Sequence, residues 1–251
     1  MFGVILGGVF AGLALGMLGA GGTIIGLPLF LYLGGPQGHA AFGTNALGVT
    51  IITLLLLFWR IRRREVDLPL GIVFAIPGLA GIAIGARLGL LYPATKLIFL
   101  LSFLILIVAA WIGYLSTRPA TPVPGRATGI EMRQVVRIIP TAFVVGLISG
   151  FFAVGGGFLV VPGLAIAAAI DLRSSARSSL VPIAAFAGLD AIEYVLAGDV
   201  KFALSGVMIV AGLAGGAAGI VLADRLRLQT VQRIFAVFLG IVAAYMIGQQ
   251  F

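Results

Sequence analysis

Two apolar stretches of this chain are too long for one straight membrane crossing, and glycine interrupts both of them. They cover residues 3–33 and 138–170. Each has a glycine cluster near its middle, at 19–22 and at 155–157, and a proline follows about one and a half turns later. We expect a helix to break there, because glycine permits sharp turns at little steric cost. Irregular backbone at membrane depth must lie inside protein or line a cavity. The two stretches therefore predict two broken helical hairpins.

Composition places the rest of the chain in the membrane as well. The 251 residues are 61% hydrophobic and only 10% charged, which leaves too little polar surface for a water-soluble domain. Six further stretches have about the 20 apolar residues that span a bilayer. They are 40–59, 69–91, 94–115, 175–197, 203–223 and 228–248. We predict an all-α integral membrane protein.

The second half of the chain repeats the first at a constant offset of 134 positions. Gly12 matches Gly146 at this offset, and Pro28 matches Pro162. A polar, proline-bearing segment separates the halves, so we predict a repeat over 1–115, a linker over 116–137 and a repeat over 138–251. Internal duplication of this kind is typical of secondary transporters.

The basic residues indicate how the two halves are oriented. If each hairpin enters and leaves on one side, each half crosses three times, and all Lys and Arg except Arg87, Lys96 and Lys201 share a side. That distribution is thirteen against three, whereas a crossing hairpin would give nine against seven. The positive-inside rule favours the first arrangement. The expected fold is two inverted repeats, each a re-entrant or broken helical hairpin plus three transmembrane helices, with both termini periplasmic.

The hairpin tips are the first candidates for a binding site. The second arm of each hairpin begins with backbone N–H groups that lack helical partners, and the helix dipole favours an anion there. The tip candidates for substrate binding are Gly21, Gly22, Thr23, Gly155, Gly156 and Gly157. The alternative is that the glycines only allow close helix packing. We favour that interpretation for Gly78, Gly81, Gly85, Gly212, Gly215 and Gly219.

Polar residues at equivalent positions of the repeats are the next candidates. Thr44 and Asn45 match Ser178 and Ser179, about one turn into their apolar stretches. Hydroxyl and amide groups are suitable donors to an oxyanion, although they can also bond to the preceding helical turn. The neighbouring Arg177 either binds lipid headgroups or supplies charge to the ligand.

Asp190 and Glu193 are the carboxylates that lie well inside an apolar stretch. Three positions apart, they share a helix face, and intramembrane acids are functional candidates for proton coupling or gating. Arg87 is a candidate partner for these two acids. The alternative is that Asp190 and Glu193 lie at the membrane interface. His39 precedes the second stretch, where an interfacial role is favoured over a proton carrier.

The composition argues against several other functions. The chain has no cysteine and one histidine, which argues against thiolate catalysis and a metal site. It contains no phosphate-binding Gly-x-x-x-x-Gly-Lys motif, so we expect no ATP coupling. The net charge of +8 is assigned to membrane orientation and not to nucleic-acid binding. We predict no cofactor and no enzymatic activity.

The motifs together resemble the TauE/SafE sulfite exporter family. The resemblance lies in the two glycine signatures ending in proline, the Ala-x-x-Thr-Asn and Ala-Arg-Ser-Ser stretches, and the basic loop at 60–67. It covers essentially the whole chain and implies a bacterial inner-membrane carrier of small sulfur-containing anions. The first half departs from the triple-glycine form, with Thr23 where the second half has Gly157.

The predicted function is secondary transport of sulfite, thiosulfate, sulfoacetate or related organosulfonates. The anion is expected to bind at the membrane midplane between the two glycine tips. The alternatives are an anion channel, a transporter of non-sulfur organic anions and, from another class, a membrane enzyme. The expected partners are the anion and the lipid bilayer, and the sequence admits a homo-oligomer.

Overall fold

The computed structural model describes residues 1–19, 22–117, 132–170, 172–226 and 228–249. These ranges contain eleven helices and no strand, which confirms the all-α prediction. In chain order they are α1 (Phe2–Leu18), α2 (Gly22–Tyr32), α3 (His39–Arg62), α4 (Leu68–Leu91), α5 (Ala94–Thr117), α6 (Met132–Phe151), α7 (Gly157–Ala168), α8 (Leu172–Ser178), α9 (Leu180–Leu196), α10 (Phe202–Arg225) and α11 (Leu228–Gly248).

Both long apolar stretches fold as broken hairpins, as the glycine clusters predict. The start of α1 meets the end of α2, where the Gly3 N–H donates to the Leu33 carbonyl at 3.2 Å. The start of α6 meets the end of α7 in the same way, where Gln134 Nε2 donates to the Ala168 carbonyl at 2.9 Å. The two arms of each hairpin are therefore antiparallel and return to the side on which they entered.

The two halves pack into each other rather than side by side. The most extensive helix contacts are α1 with α10 and α4 with α6, and α3 also packs on α9 and α5 on α11. A methyl group on Gly12 would overlap the backbone of Gly212, and one on Gly146 would overlap the backbone of Gly78. These matched contacts confirm that the glycines of α4 and α10 allow close helix packing.

The contacts also give the relative directions of equivalent helices. Gly43, near the start of α3, lies beside Tyr194 near the end of α9, whereas Gly188 of α9 lies beside Thr50 of α3. The equivalent helices α3 and α9 thus run in opposite directions. This course is consistent with two inverted repeats.

The outer surface is suited to hydrocarbon. Within the described residues, six helices are long and apolar enough to cross a membrane, namely α3, α4, α5, α6, α10 and α11. Exposed apolar side chains such as Phe58, Ile76, Ile107 and Val210 cover the outside of these helices. An apolar exterior with backbone groups bonded inside helices is what a lipid environment requires.

One predicted segment differs in detail. The stretch 175–197 forms two helices with an interruption at Ser179. Pro182 has no N–H to donate to the Ser178 carbonyl four residues earlier, which accounts for the break. Most of the predicted linker, residues 118–131, lies outside the described residues.

Candidate anion site at the hairpin tips

The turn between α6 and α7, which we call the second tip (residues 152–156), donates a hydrogen bond to a carboxylate. The Gly155 N–H donates to Asp190 Oδ2 at 3.2 Å. Gly155 and Gly156 have left-handed backbone angles, with φ of 57° and 70°, which glycine adopts without strain. The turn therefore places Gly155 where its N–H faces α9. Sequence reasoning identified both groups as candidates but not their contact.

Asp190 is completely buried, although it carries an ionisable group. Its exposed fraction is 0%, and its other carboxylate oxygen, Oδ1, has no hydrogen-bond partner among the described residues. The second tip is also buried, and Phe186 and Ser149 lie closely against Gly156. In this conformation a bound anion would have to displace protein atoms at the tip.

The end of the first arm, which we call the first tip (residues 16–19), accepts hydrogen bonds instead of donating them. Arg60 Nη2 donates to the Gly16 carbonyl at 2.6 Å, and Ser179 Oγ donates to the Gly19 carbonyl at 2.8 Å. The Arg60 side chain is 7% exposed and lies 3.5 Å from Glu65. A cation at the carbonyl end of α1 is favoured by the helix dipole. The first tip thus lies against a buried guanidinium whose charge is paired with that of Glu65.

The role of Arg60 was missed in the sequence, where it counted only as a residue of the basic loop. One signal was available, since Arg60 directly follows the apolar stretch 40–59 and its equivalent at the repeat offset is Tyr194, a residue of α9. An arginine aligned with a residue inside a membrane helix is a candidate for a buried contact.

The two tips do not face each other across one small site in this conformation. The first tip contacts α9 at its beginning, through Ser179, and the second contacts it at Asp190. These positions are eleven residues apart, which corresponds to about 16 Å along a helix. A single small anion cannot span that distance.

Thr44 and Ser178 make equivalent bonds between the halves. Thr44 Oγ1 accepts from the Lys201 N–H at 3.0 Å, and Ser178 Oγ accepts from the Asp67 N–H at 3.2 Å. Lys201 and Asp67 are the residues that precede α10 and α4. The two hydroxyls therefore hold the start of a helix of the other half.

The remaining candidates lie on α2, α3, α7 and α8. Asn45 is buried, and its Oδ1 lies against Gly26 of α2. Arg177 lies half-buried in the last turn of α8. Gly22 and Gly157 begin α2 and α7, and the backbone of Thr23 belongs to α2. Gly21 lies outside the described residues.

Glu193 pairs with the residue expected from the sequence. Its Oε1 lies 3.5 Å from Arg87 Nε, and the two side chains are 18% and 75% exposed. The pair joins the ends of α4 and α9.

One turn after Asp190, Tyr194 is fully buried and its ring centroid is 6.2 Å from that of His39.

Comparison with known proteins gives a consistent result over the whole chain. The family model described as "Sulfite exporter TauE/SafE" matches residues 4–246. A probable membrane transporter protein of Xylella fastidiosa (strain Temecula1 / ATCC 700964) is 32% identical over 245 residues, which covers 96% of this chain and 92% of the relative. The probable membrane transporter protein YunE of Bacillus subtilis (strain 168) is 23% identical over 262 residues, covering 96% and 94%. No solved structure matches significantly.

Proposed function

The chain belongs to the sulfite exporter TauE/SafE family and is a membrane transporter, and from this premise we propose that it carries small sulfur-containing anions. The proposed substrates are sulfite, thiosulfate, sulfoacetate and related organosulfonates. Transport is secondary, and the anion binds inside the membrane between the tips of the two hairpins.

The hydrogen bond from Gly155 to Asp190 is the observation that supports this proposal most directly. A carboxylate, a sulfite and a sulfonate are all oxyanions that accept hydrogen bonds from N–H groups. The first N–H groups of α7, at Gly157 and Phe158, also have no acceptor within their own helix. A tip that already binds one oxyanion has the polarity to bind another.

Movement of the hairpins completes the site in this proposal. Since the tips contact α9 about 16 Å apart, one hairpin shifts along α9 to bring both tips to the same anion. The buried Arg60 and Ser179 then contribute a guanidinium donor and a hydroxyl from the side of the first tip. The same shift alternates access between the two sides of the membrane.

The other candidate residues take supporting roles. The proposed substrate contacts are Gly21, Gly22, Thr23, Gly155, Gly156, Gly157, Asn45, Ser179 and Arg177, with Thr44 and Ser178 holding the neighbouring helices in place. Asp190 and the pair of Glu193 with Arg87 control coupling or gating.

We also propose the orientation of the protein. One end of the molecule carries Arg60, Arg62, Arg133 and Arg225. We place this end on the cytoplasmic side of a bacterial inner membrane, because positive residues are retained on that side. Both termini are then periplasmic.

The first test is the melting temperature of the purified protein in the presence of sulfite, thiosulfate, sulfoacetate, sulfate, phosphate, acetate and chloride. A ligand that binds only the folded protein stabilises it by about 2.7 kcal/mol at a hundredfold excess over its Kd. We expect stabilisation by one or more sulfur anions and not by acetate or phosphate. Stabilisation by acetate or phosphate alone would contradict the sulfur assignment.

Flux measurements then distinguish a carrier from a channel. In proteoliposomes loaded with the stabilising anion, a carrier accelerates uptake of the labelled external anion by exchange and saturates with concentration. Uptake that neither saturates nor exchanges would indicate a channel and contradict the transporter mechanism.

A further inference from the structure

Three buried polar atoms without hydrogen-bond partners belong to Asp190, which contacts the second tip, to Tyr194 one turn later on α9, and to His39, whose ring lies beside that of Tyr194. Among the described residues, Asp190 Oδ1, Tyr194 OH and His39 Nδ1 are buried and make no hydrogen bond. Such atoms destabilise a folded protein, so their occurrence together calls for an explanation. The oxygen of Asp190 belongs to the carboxylate that already binds the tip.

The three side chains follow one another from the tip towards the end of the molecule. Asp190 and Tyr194 are four positions apart on α9 and share one face of that helix. The Tyr194 and His39 rings are 6.2 Å apart between centroids. His39 is the first residue of α3 and is partly exposed. An open cavity of about 450 Å³ lies at this end of the molecule, lined by residues 34–36 and 200–204.

We propose that Asp190 is a tethered anion that competes with the substrate for the second tip, and that a proton delivered through His39 and Tyr194 releases it. The ionised carboxylate accepts the hydrogen bond of the Gly155 N–H, and its negative charge repels an incoming anion. A proton from water at the cavity end forms an O–H bond on Asp190 and neutralises it. A substrate oxygen then replaces the carboxylate at the Gly155 N–H, so one proton binds with each anion.

The other charged groups around Asp190 do not take this role. On α9, Glu193 is ion-paired with Arg87 of α4, and Asp199 follows the end of the helix. Of the described residues packed on α9, α3 contributes His39 on this side, while α6 and α7 place no ionisable group near the tip. Arg177 of α8 lies at the opposite end of α9.

The inference rests on the proposed function, and pH-dependent binding tests it. We would measure the Kd of thiosulfate and of methanesulfonate between pH 5.5 and 8.5, a range in which neither probe changes its charge. Binding that takes up one proton weakens by about tenfold per pH unit once Asp190 ionises. In Asp190→Asn the affinity should be independent of pH and close to the low-pH value of the unmodified protein.

Matched variants separate this role from a structural one. Asp199→Asn removes a neighbouring acid that follows the end of α9 and should keep the pH dependence, and Asp190→Glu should keep it as well. His39→Gln and Tyr194→Phe should keep the equilibrium pH dependence but slow the binding that follows a rapid drop in pH. Unchanged rates in both variants would overturn the delivery path.

The outcomes distinguish the inference from the proposed function. If the unmodified protein binds either probe with a pH-independent Kd, the inference is wrong and the proposed function stands. If Asp190→Asn folds but binds weakly at every pH, the carboxylate is structural and the inference is again wrong. If the unmodified protein binds neither probe at any pH, the proposed function fails and the inference fails with it.

Discussion

Replacing Gly156 by alanine should damage both the stability and the anion affinity of the protein, because two separate effects meet at this position. Gly156 has φ of 70°, which alanine adopts at a cost of about 1–2 kcal/mol. An added methyl group would also lie 2.8 Å from the ring of Phe186 and 2.9 Å from Ser149 Oγ. The Phe186 ring is fully buried and cannot move into solvent.

Gly198 provides a matched control within the same chain. Its φ is 79°, and a methyl group there would meet no atom within 4 Å. Gly198→Ala should therefore cost only the backbone term, about 1–2 kcal/mol. Gly156→Ala should cost that amount plus about 1–3 kcal/mol for overpacking, so about 2–5 kcal/mol in total.

Denaturation of the two purified variants measures the difference, and ligand-induced stabilisation measures binding. We expect Gly156→Ala to be the less stable variant and to bind sulfur anions at least tenfold more weakly, which corresponds to about 1.4 kcal/mol. Gly198→Ala should bind as the unmodified protein does. Equal stability of the two variants would refute the packing argument, and equal affinity would refute the location of the site.

Two further predictions concern the arrangement of the halves. Thr44→Val and Ser178→Ala each remove a partly buried hydrogen bond to a backbone N–H of the other half, so each should lower the free energy of unfolding by about 0.5–1.5 kcal/mol. Thr50→Val, which removes a bond within α3 only, should cost less in the same melting experiment; an equal cost would contradict the role of the cross-half bonds. Because the chain has no cysteine, Leu33→Cys and Ala169→Cys can be labelled singly with an impermeant maleimide, and we expect them on opposite membrane faces. Labelling of both from one face would rule out inverted repeats.

Much of the architecture could be predicted because the relevant signals are local. The break between α6 and α7 needs left-handed backbone at two successive residues. The glycines at 155 and 156 indicate such a backbone in the sequence, because glycine adopts it without strain. The length of an apolar stretch likewise decides whether a helix can cross a bilayer. The ion pair of Arg87 with Glu193 could be anticipated from the few charges available at that depth.

The contacts at the tips could not be predicted, because they depend on how helices distant in sequence are rotated and shifted against each other. Asp190 was identified as an unusual acid, but its partner Gly155 is 35 residues earlier and bonds through the backbone, which has no sequence signature. Arg60 reaches Gly16, 44 residues away, from the last turn of α3. Neither apolar content nor the repeat offset determines such a distance.

The packing of α1 against α10 has a consequence for the synthesis of the protein. The helix on which α1 packs, α10, begins about 200 residues later and leaves the ribosome correspondingly late. Since translation adds about 5–20 residues per second, roughly 10–40 s pass between the synthesis of α1 and that of α10. During this interval the glycine-lined face of α1 that later packs on α10 is open to lipid. A chain that ends before α10 therefore leaves its first helix without the main partner of that face.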